Sequence, residues 1–125
     1  MPNRCTTLIF VAVSVTAFAS TALPAAAASS TSRGQISVAQ VVEMLQQAPS
    51  NRLAQQVLTA YLAGVGETVG LVTGMGNVSC QGTVGLDSAS VSAALQAVAS
   101  GPDAVETAAT PLIVQDVLDR AGCKI

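Results

Sequence analysis

Asn51-Arg52-Leu53-Ala54-Gln55-Gln56-Val57-Leu58-Thr59-Ala60-Tyr61-Leu62-Ala63-Gly64-Val65-Gly66-Glu67-Thr68-Val69 is the stretch on which the fold turns. Its apolar residues Leu53, Val57, Leu58, Tyr61, Leu62, Val65 and Val69 recur in steps of four, five and eight. That is the rhythm of one buried stripe on an α-helix. Gln55, Gln56, Thr59 and Glu67 fall largely outside it. Ser50 or Asn51 supplies an N-cap, and Pro49 closes whatever precedes. Gly66, Gly70 and Gly74 recur every four residues and leave a bare strip where another helix or a loop can approach closely. A helix glycine costs ~1 kcal/mol against alanine, so the helix is expected to fray or kink toward its C-terminal end.

The same period extends on both sides. Upstream, Ser37 caps a segment that carries Val38, Val41, Val42 and Leu45 on one face and stops before Ala48-Pro49. Downstream, Gly74 to Leu86 holds four glycines within thirteen residues and has no helical period, so it reads as a loop pinned at Cys80. Asp87 or Ser88 caps a third helix with Val91, Ala94, Leu95 and Val98 inward, ended by Ser100-Gly101-Pro102. Asp103 to Ala109 forms a linker with room for a helical turn. Thr110-Pro111 then offers an N-cap followed by proline at the first helical position, ahead of Ile113, Val114, Val117, Leu118 and Ala121. No segment reads as a strand pair. The expectation is an all-α domain of about four helices over residues 36–125.

Residues 1–28 follow a different pattern. Arg4 precedes the uncharged run Leu8 to Ala19, Pro24 breaks it, and Ala25-Ala26-Ala27-Ala28 offers small-residue cleavage frames. This is the order of a secretory signal peptide, shorter than the ~20 apolar residues of a membrane anchor. Residues 29–35, rich in Ser and Thr, read as a disordered leader. Beyond the signal only Cys80 and Cys123 remain, and an even pair of cysteines in an exported chain reads as one disulfide. Closing a loop of about 43 residues contributes ~4 kcal/mol in the chain-entropy view, a large share for a domain this small.

Composition excludes more chemistry than it suggests. The 125 residues contain no His and no Trp, and their only aromatic residues are Phe10, Phe18 and Tyr61. Without histidine there is no Ser/His/Asp or Cys/His catalytic set and no His-bearing zinc site. Five Lys and Arg against seven Asp and Glu argue against a nucleic-acid or anionic-membrane partner. Gly64-Val65-Gly66-Glu67-Thr68-Val69-Gly70 is one residue too long for a dinucleotide fingerprint and sits in a helix instead of between strand and helix. Asp116, Asp119 and Arg120 read as a solvated face with one i,i+4 ion pair. Asn77-Val78-Ser79 matches a glycosylation sequon, a pattern of little specificity. No catalytic, cofactor or metal residues are assigned, and a non-enzymatic protein is expected.

With this frame in place, the stretch from Leu58 to Cys123 resembles the Rap/Tai-type immunity proteins of type VI secretion. These are small exported bacterial proteins that neutralise peptidoglycan amidase toxins in the periplasm. The resemblance rests on Tyr61-Leu62-Ala63-Gly64, Cys80 opening a loop, Val84 to Leu95, Val98-Ala99-Ser100-Gly101-Pro102, Ile113-Val114, Val117-Leu118 and the terminal Cys123. The chain departs from the family at Leu58, at Gln81-Gly82 and at Ala121-Gly122 before the last cysteine. The resemblance implies a periplasmic or secreted binding protein with an exported amidase-type toxin as partner, with no membrane contact after cleavage and with a homodimer left open. The partner loops would be Gly74–Ser79, with Met75, Asn77 and Ser79, and Asp103–Ala109, with Asp103 and Glu106. An alternative reading is an acid-stress chaperone, which is also small, helical and held by one disulfide. A third is an exported helical domain of another role.

Overall fold

The computed structural model describes residues 29–76, 78–83 and 85–124, so residues 1–28, expected as a signal peptide, and Asn77, Val84 and Ile125 lie outside the described residues. Four α-helices and one 3-10 turn follow one another as α1 (Val38–Gln47), α2 (Arg52–Met75), α3 (Ser88–Ala99), η1 (Pro102–Val105) and α4 (Ala109–Arg120). Each of the first three starts where a side chain can satisfy free backbone N–H groups. Ser37 and Gln40 form a capping box on α1. The Asn51 carboxamide accepts from Leu53 and Ala54 at the start of α2. Asp87 and Ser90 form a second capping box on α3.

α4 departs from the expected start. It begins at Ala109, with Ala108 as a cap that offers no side chain, so Pro111 is the third helical residue and not the first. The cause lies in the neighbouring segment. Ala109 N–H donates to the Ile36 carbonyl and Val38 N–H to the Thr107 carbonyl, both at 2.9 Å. This short antiparallel bridge between Ser37 and Ala108 caps α4 from outside. Among the described residues the only other such bridge joins Ser79 and Lys124, and no strand forms.

α1 packs on α2 and α3, and α4 packs on α2 and α3, so the helices run round the bundle in the order α1, α2, α4, α3. The chain therefore crosses the bundle diagonally between α2 and α3, through the glycine-rich loop. Val38 and Val41, Val65 and Val69, Val91 and Leu95, Ala104, and Ala109, Ile113, Val117 and Leu118 meet in one core. None of them is aromatic; Leu95 and Ile113 are its largest fully buried side chains.

The disulfide joins Cys80 to Cys123 and holds that crossover to the end of α4. α4 stops at Gly122, whose φ of 63° is left-handed and suits glycine best. Gly122 N–H donates to Asp119 and Cys123 N–H to Leu118, the double bond of a Schellman ending, which turns Cys123 back toward the bundle. The Ala121 carbonyl accepts from both Gln81 and Gly82, at 3.0 Å each, so backbone and disulfide pin the same loop.

Three sequence expectations change. α2 is continuous to Met75 instead of fraying earlier. Its glycines are not close-approach points, because a Cβ at Gly64, Gly66, Gly70 or Gly74 would meet nothing within 4 Å. Residues 29–35, expected as a disordered leader, are tied down. Thr31 and Gln35 close a turn through Gly34, the Ser37 hydroxyl donates to the Ser29 carbonyl, and Ser32 N–H donates to the Glu106 carboxylate.

Candidate functional site

The bridge between Ser37 and Ala108 does more than cap α4. Alternation along extended backbone turns Ser37 into the core, where it is fully buried, and leaves Ile36 facing outward. Outward-facing Ile36 meets the side of α4. Gln35, Ile36 and Ala108 close one wall, Thr110, Pro111 and Val114 another, and Thr68 of α2 the third, around an open groove of about 460 Å³. Four of the seven lining residues are apolar and none ionises. Such a concavity can take an apolar side chain or chain segment and hold it by a few hydroxyl and amide groups. The only hydroxyls in the lining are those of Thr68 and Thr110.

Just outside the groove, the Tyr61 hydroxyl and the Thr110 hydroxyl share a 3.0 Å hydrogen bond. Burial pushes the Tyr61 phenol above its ordinary pKa, and the Thr110 bond offsets part of that rise.

A second surface runs along the outside of α2. The buried stripe is Ala54, Leu58, Val65 and Val69, with Tyr61 and Leu62 half-buried beside it. Leu53 and Val57, expected inside, are rotated out and are 68% and 48% exposed. Leu71 and Met75, on the same edge, are 60% and 84% exposed. The reason is angular: with 3.6 residues per turn, positions 57 and 53 fall about 100° and about 140° from the line through 58, 65 and 69. Arg52–Met75 is also long and apolar enough, by length and composition, to cross a membrane.

The loop residues singled out from the sequence are not brought together. Met75 ends α2, and Ser79 pairs through its backbone with Lys124, beyond the end of α4. Asp103 and Glu106 lie on η1 and the turn after it, before α4 begins. The twelve residues of α4, a length of about 18 Å, separate the two sets. Asn77 lies outside the described residues.

Five of the carboxylates have local partners, Glu43 among them through the Gln47 carboxamide, which donates at 2.8 Å. The Ser32 backbone N–H holds Glu106 below the usual carboxylate range. The Ser90 backbone N–H does the same for Asp87. Arg120 Nε lies 2.7 Å from Asp116 Oδ2, the i,i+4 pair the sequence predicts, and Arg120 also donates to the Gly85 carbonyl. The Asp119 carboxylate accepts from Gln115. Among the described residues, no three His, Cys, Asp or Glu side chains converge on a point that could hold a metal ion.

Sequence reasoning missed the groove. Val114 looked like core, because it adjoins Ile113 in the same apolar run, and Ile36 was only the first residue of the expected helical domain. An isoleucine directly before a capping serine was the available signal.

Fold and surface together define a small, disulfide-stapled all-α bundle with an open apolar groove. A disulfide marks an oxidising, exported environment. No family model matches the chain, and no curated protein or solved structure is significantly similar to it.

Proposed function

We propose that the chain is an exported, non-enzymatic binding protein of the immunity type, which is freed of residues 1–28 and neutralises a peptidoglycan amidase in the periplasm. The observation that carries this reading is the groove of Ile36, Thr68, Thr110, Pro111 and Val114 on a disulfide-held scaffold. Inhibition needs a surface already in its binding shape, because ordering a mobile surface consumes affinity. The disulfide, the capped helices and the Ser37–Ala108 bridge supply that order. The resemblance of Leu58 to Cys123 to the Rap/Tai-type immunity proteins supplies the partner class. An apolar loop of the toxin would sit in the groove.

The test is titration calorimetry of the mature chain against a co-encoded exported amidase at neutral pH, run beside protection of cells that express the toxin. Tight one-to-one binding is expected, weakened at least tenfold by Ile36→Asp while the circular dichroism spectrum stays unchanged. Failure to bind or protect against any co-encoded exported hydrolase would overturn the reading. Protection of an aggregating client only near pH 3 would replace it with the chaperone reading.

A further inference from the structure

The outer edge of α2 carries a pattern that the bundle does not use. Counting outward from Gly64, positions four, seven and eleven toward the N-terminus are Ala60, Val57 and Leu53. The same steps toward the C-terminus reach Thr68, Leu71 and Met75. All seven residues are exposed. With 3.6 residues per turn they lie on one side of the helix, within an arc of about 80°. Size rises symmetrically from the centre outward: no side chain at Gly64, small ones at 60 and 68, large apolar ones at 57 and 71 and again at 53 and 75.

In a two-fold interface a residue i that meets j of the second copy is matched by j meeting i, so a face whose sizes mirror about one position pairs residues of like size across the axis. We propose that two copies of this chain associate through this edge, with their α2 helices antiparallel and Gly64 on the two-fold axis. Leu53 then meets Met75 of the second copy, Val57 meets Leu71, and Ala60 meets Thr68. The gradient of size fits two crossing rods. Backbones come closest at the crossing, where Gly64 leaves room, and the larger side chains fill the widening gap toward each end.

Two further observations favour a second copy over other occupants. A Cβ at Gly64 would touch nothing within the chain, so the bundle itself gains no packing from a residue that weakens the helix. Charge is also absent from the contact line: between Arg52 and Met75 the only ionisable acid or base besides Tyr61 is Glu67, beside the line and not on it. Desolvation therefore costs little. The seven residues would bury roughly 500 Å² per copy, about 1,000 Å² for the pair, which is the small end of specific association. A reversible dimer, half-formed at roughly tens of micromolar, is the expected strength. This surface adjoins the α2–α4 groove at Thr68, which lines both, and the inference does not depend on the partner proposed for the groove.

Sedimentation equilibrium of the mature, oxidised chain tests the proposal, with phospholipid vesicles added in a parallel arm. A monomer–dimer equilibrium is expected, with Val57→Lys and Leu71→Glu each weakening it at least tenfold. Mixing those two variants is expected to restore a dimer, because the introduced lysine of one copy would face the introduced glutamate of the other while the second Val57–Leu71 contact stays native. Gly64→Cys is expected to cross-link to itself under mild oxidation, and Thr59→Cys, on the far side of the helix, is not. A monomer at every concentration up to about 1 mM overturns the proposal. So does a dimer indifferent to both charge variants, or capture of a monomeric chain by the vesicles.

Discussion

Tyr61 and Thr110, 49 residues apart in sequence, share one 3.0 Å hydrogen bond that fastens the middle of α2 to the first turn of α4. The phenol is half-buried between helices, and α4 has no side-chain cap of its own. The bond therefore ties the first turn of α4 to α2 beside Thr68 and Val114, which line the groove. Tyr61→Phe keeps the ring and removes the bond, so a loss of about 1 kcal/mol is expected in urea unfolding. Tyr61 is the only tyrosine, so tyrosinate absorbance reports it alone. Its titration is expected above the ordinary value. A folded pKa raised above the unfolded one favours the neutral phenol in the native state. The corresponding stability is present below about pH 10 and is lost as pH rises through the folded value.

The disulfide fixes a connection that the core leaves loose. α2 and α3 sit diagonally, and the chain between them touches the bundle end through the Ser79–Lys124 bridge and the Ala121 carbonyl. Cys123→Ser is expected to cost about 2–5 kcal/mol by denaturant unfolding. Cys80→Ser should cost the same, and the double variant no more than either alone, because each change opens the same loop. A double variant markedly weaker than the singles would mean that the thiols serve separately.

Core and edge positions of similar apolar character should behave oppositely. Ile113 is fully buried among Val38, Val69, Val91 and Leu95, and Ile113→Ala is expected to cost about 2–5 kcal/mol. Leu53 stands mostly in solvent, and Leu53→Ala should change the unfolding free energy of the monomer by less than about 0.5 kcal/mol. Thermal unfolding at concentrations too low for association separates the two.

That contrast marks where the sequence was legible. The helix starts at Ser37, Asn51 and Asp87 could be read because capping is local: a side chain reaches two or three residues ahead. The Cys80–Cys123 link followed from arithmetic on two thiols. The start of α4 could not be read, since the partner of its first N–H, the Ile36 carbonyl, comes from a bridge formed only when the bundle closes. The rotation of Leu53 and Val57 was hidden for a different reason. α2 has apolar residues on two adjoining faces, and periodicity alone cannot say which face the neighbouring helices cover. The groove combines both difficulties, being built from one residue before a cap and one beside the core stripe.

Acid should loosen this fold through two carboxylates that act locally. Asp87 accepts from Ser90 N–H at 2.8 Å and caps α3, and Glu106 accepts from Ser32 N–H at 3.1 Å and ties down the N-terminal turn. Both are held below their ordinary pKa, first by those backbone bonds. A carboxylate whose folded pKa is depressed contributes stability that is complete above its unfolded value and is lost as pH falls through the folded one. The urea midpoint is therefore expected to stay level from pH 7 to about 5 and to fall below about pH 4. Asp87→Asn keeps an oxygen that can cap α3, so it should preserve most of the neutral-pH midpoint while flattening part of the acid limb. Asp87→Ala removes the cap and should lower the midpoint at every pH. Glu106→Gln is expected to leave α3 untouched and to speed hydrogen exchange at the Ser32 amide, because a neutral amide oxygen holds that N–H less strongly than a carboxylate. Equal acid sensitivity in wild type and the Asp87→Asn, Glu106→Gln double variant would show that other groups govern the transition.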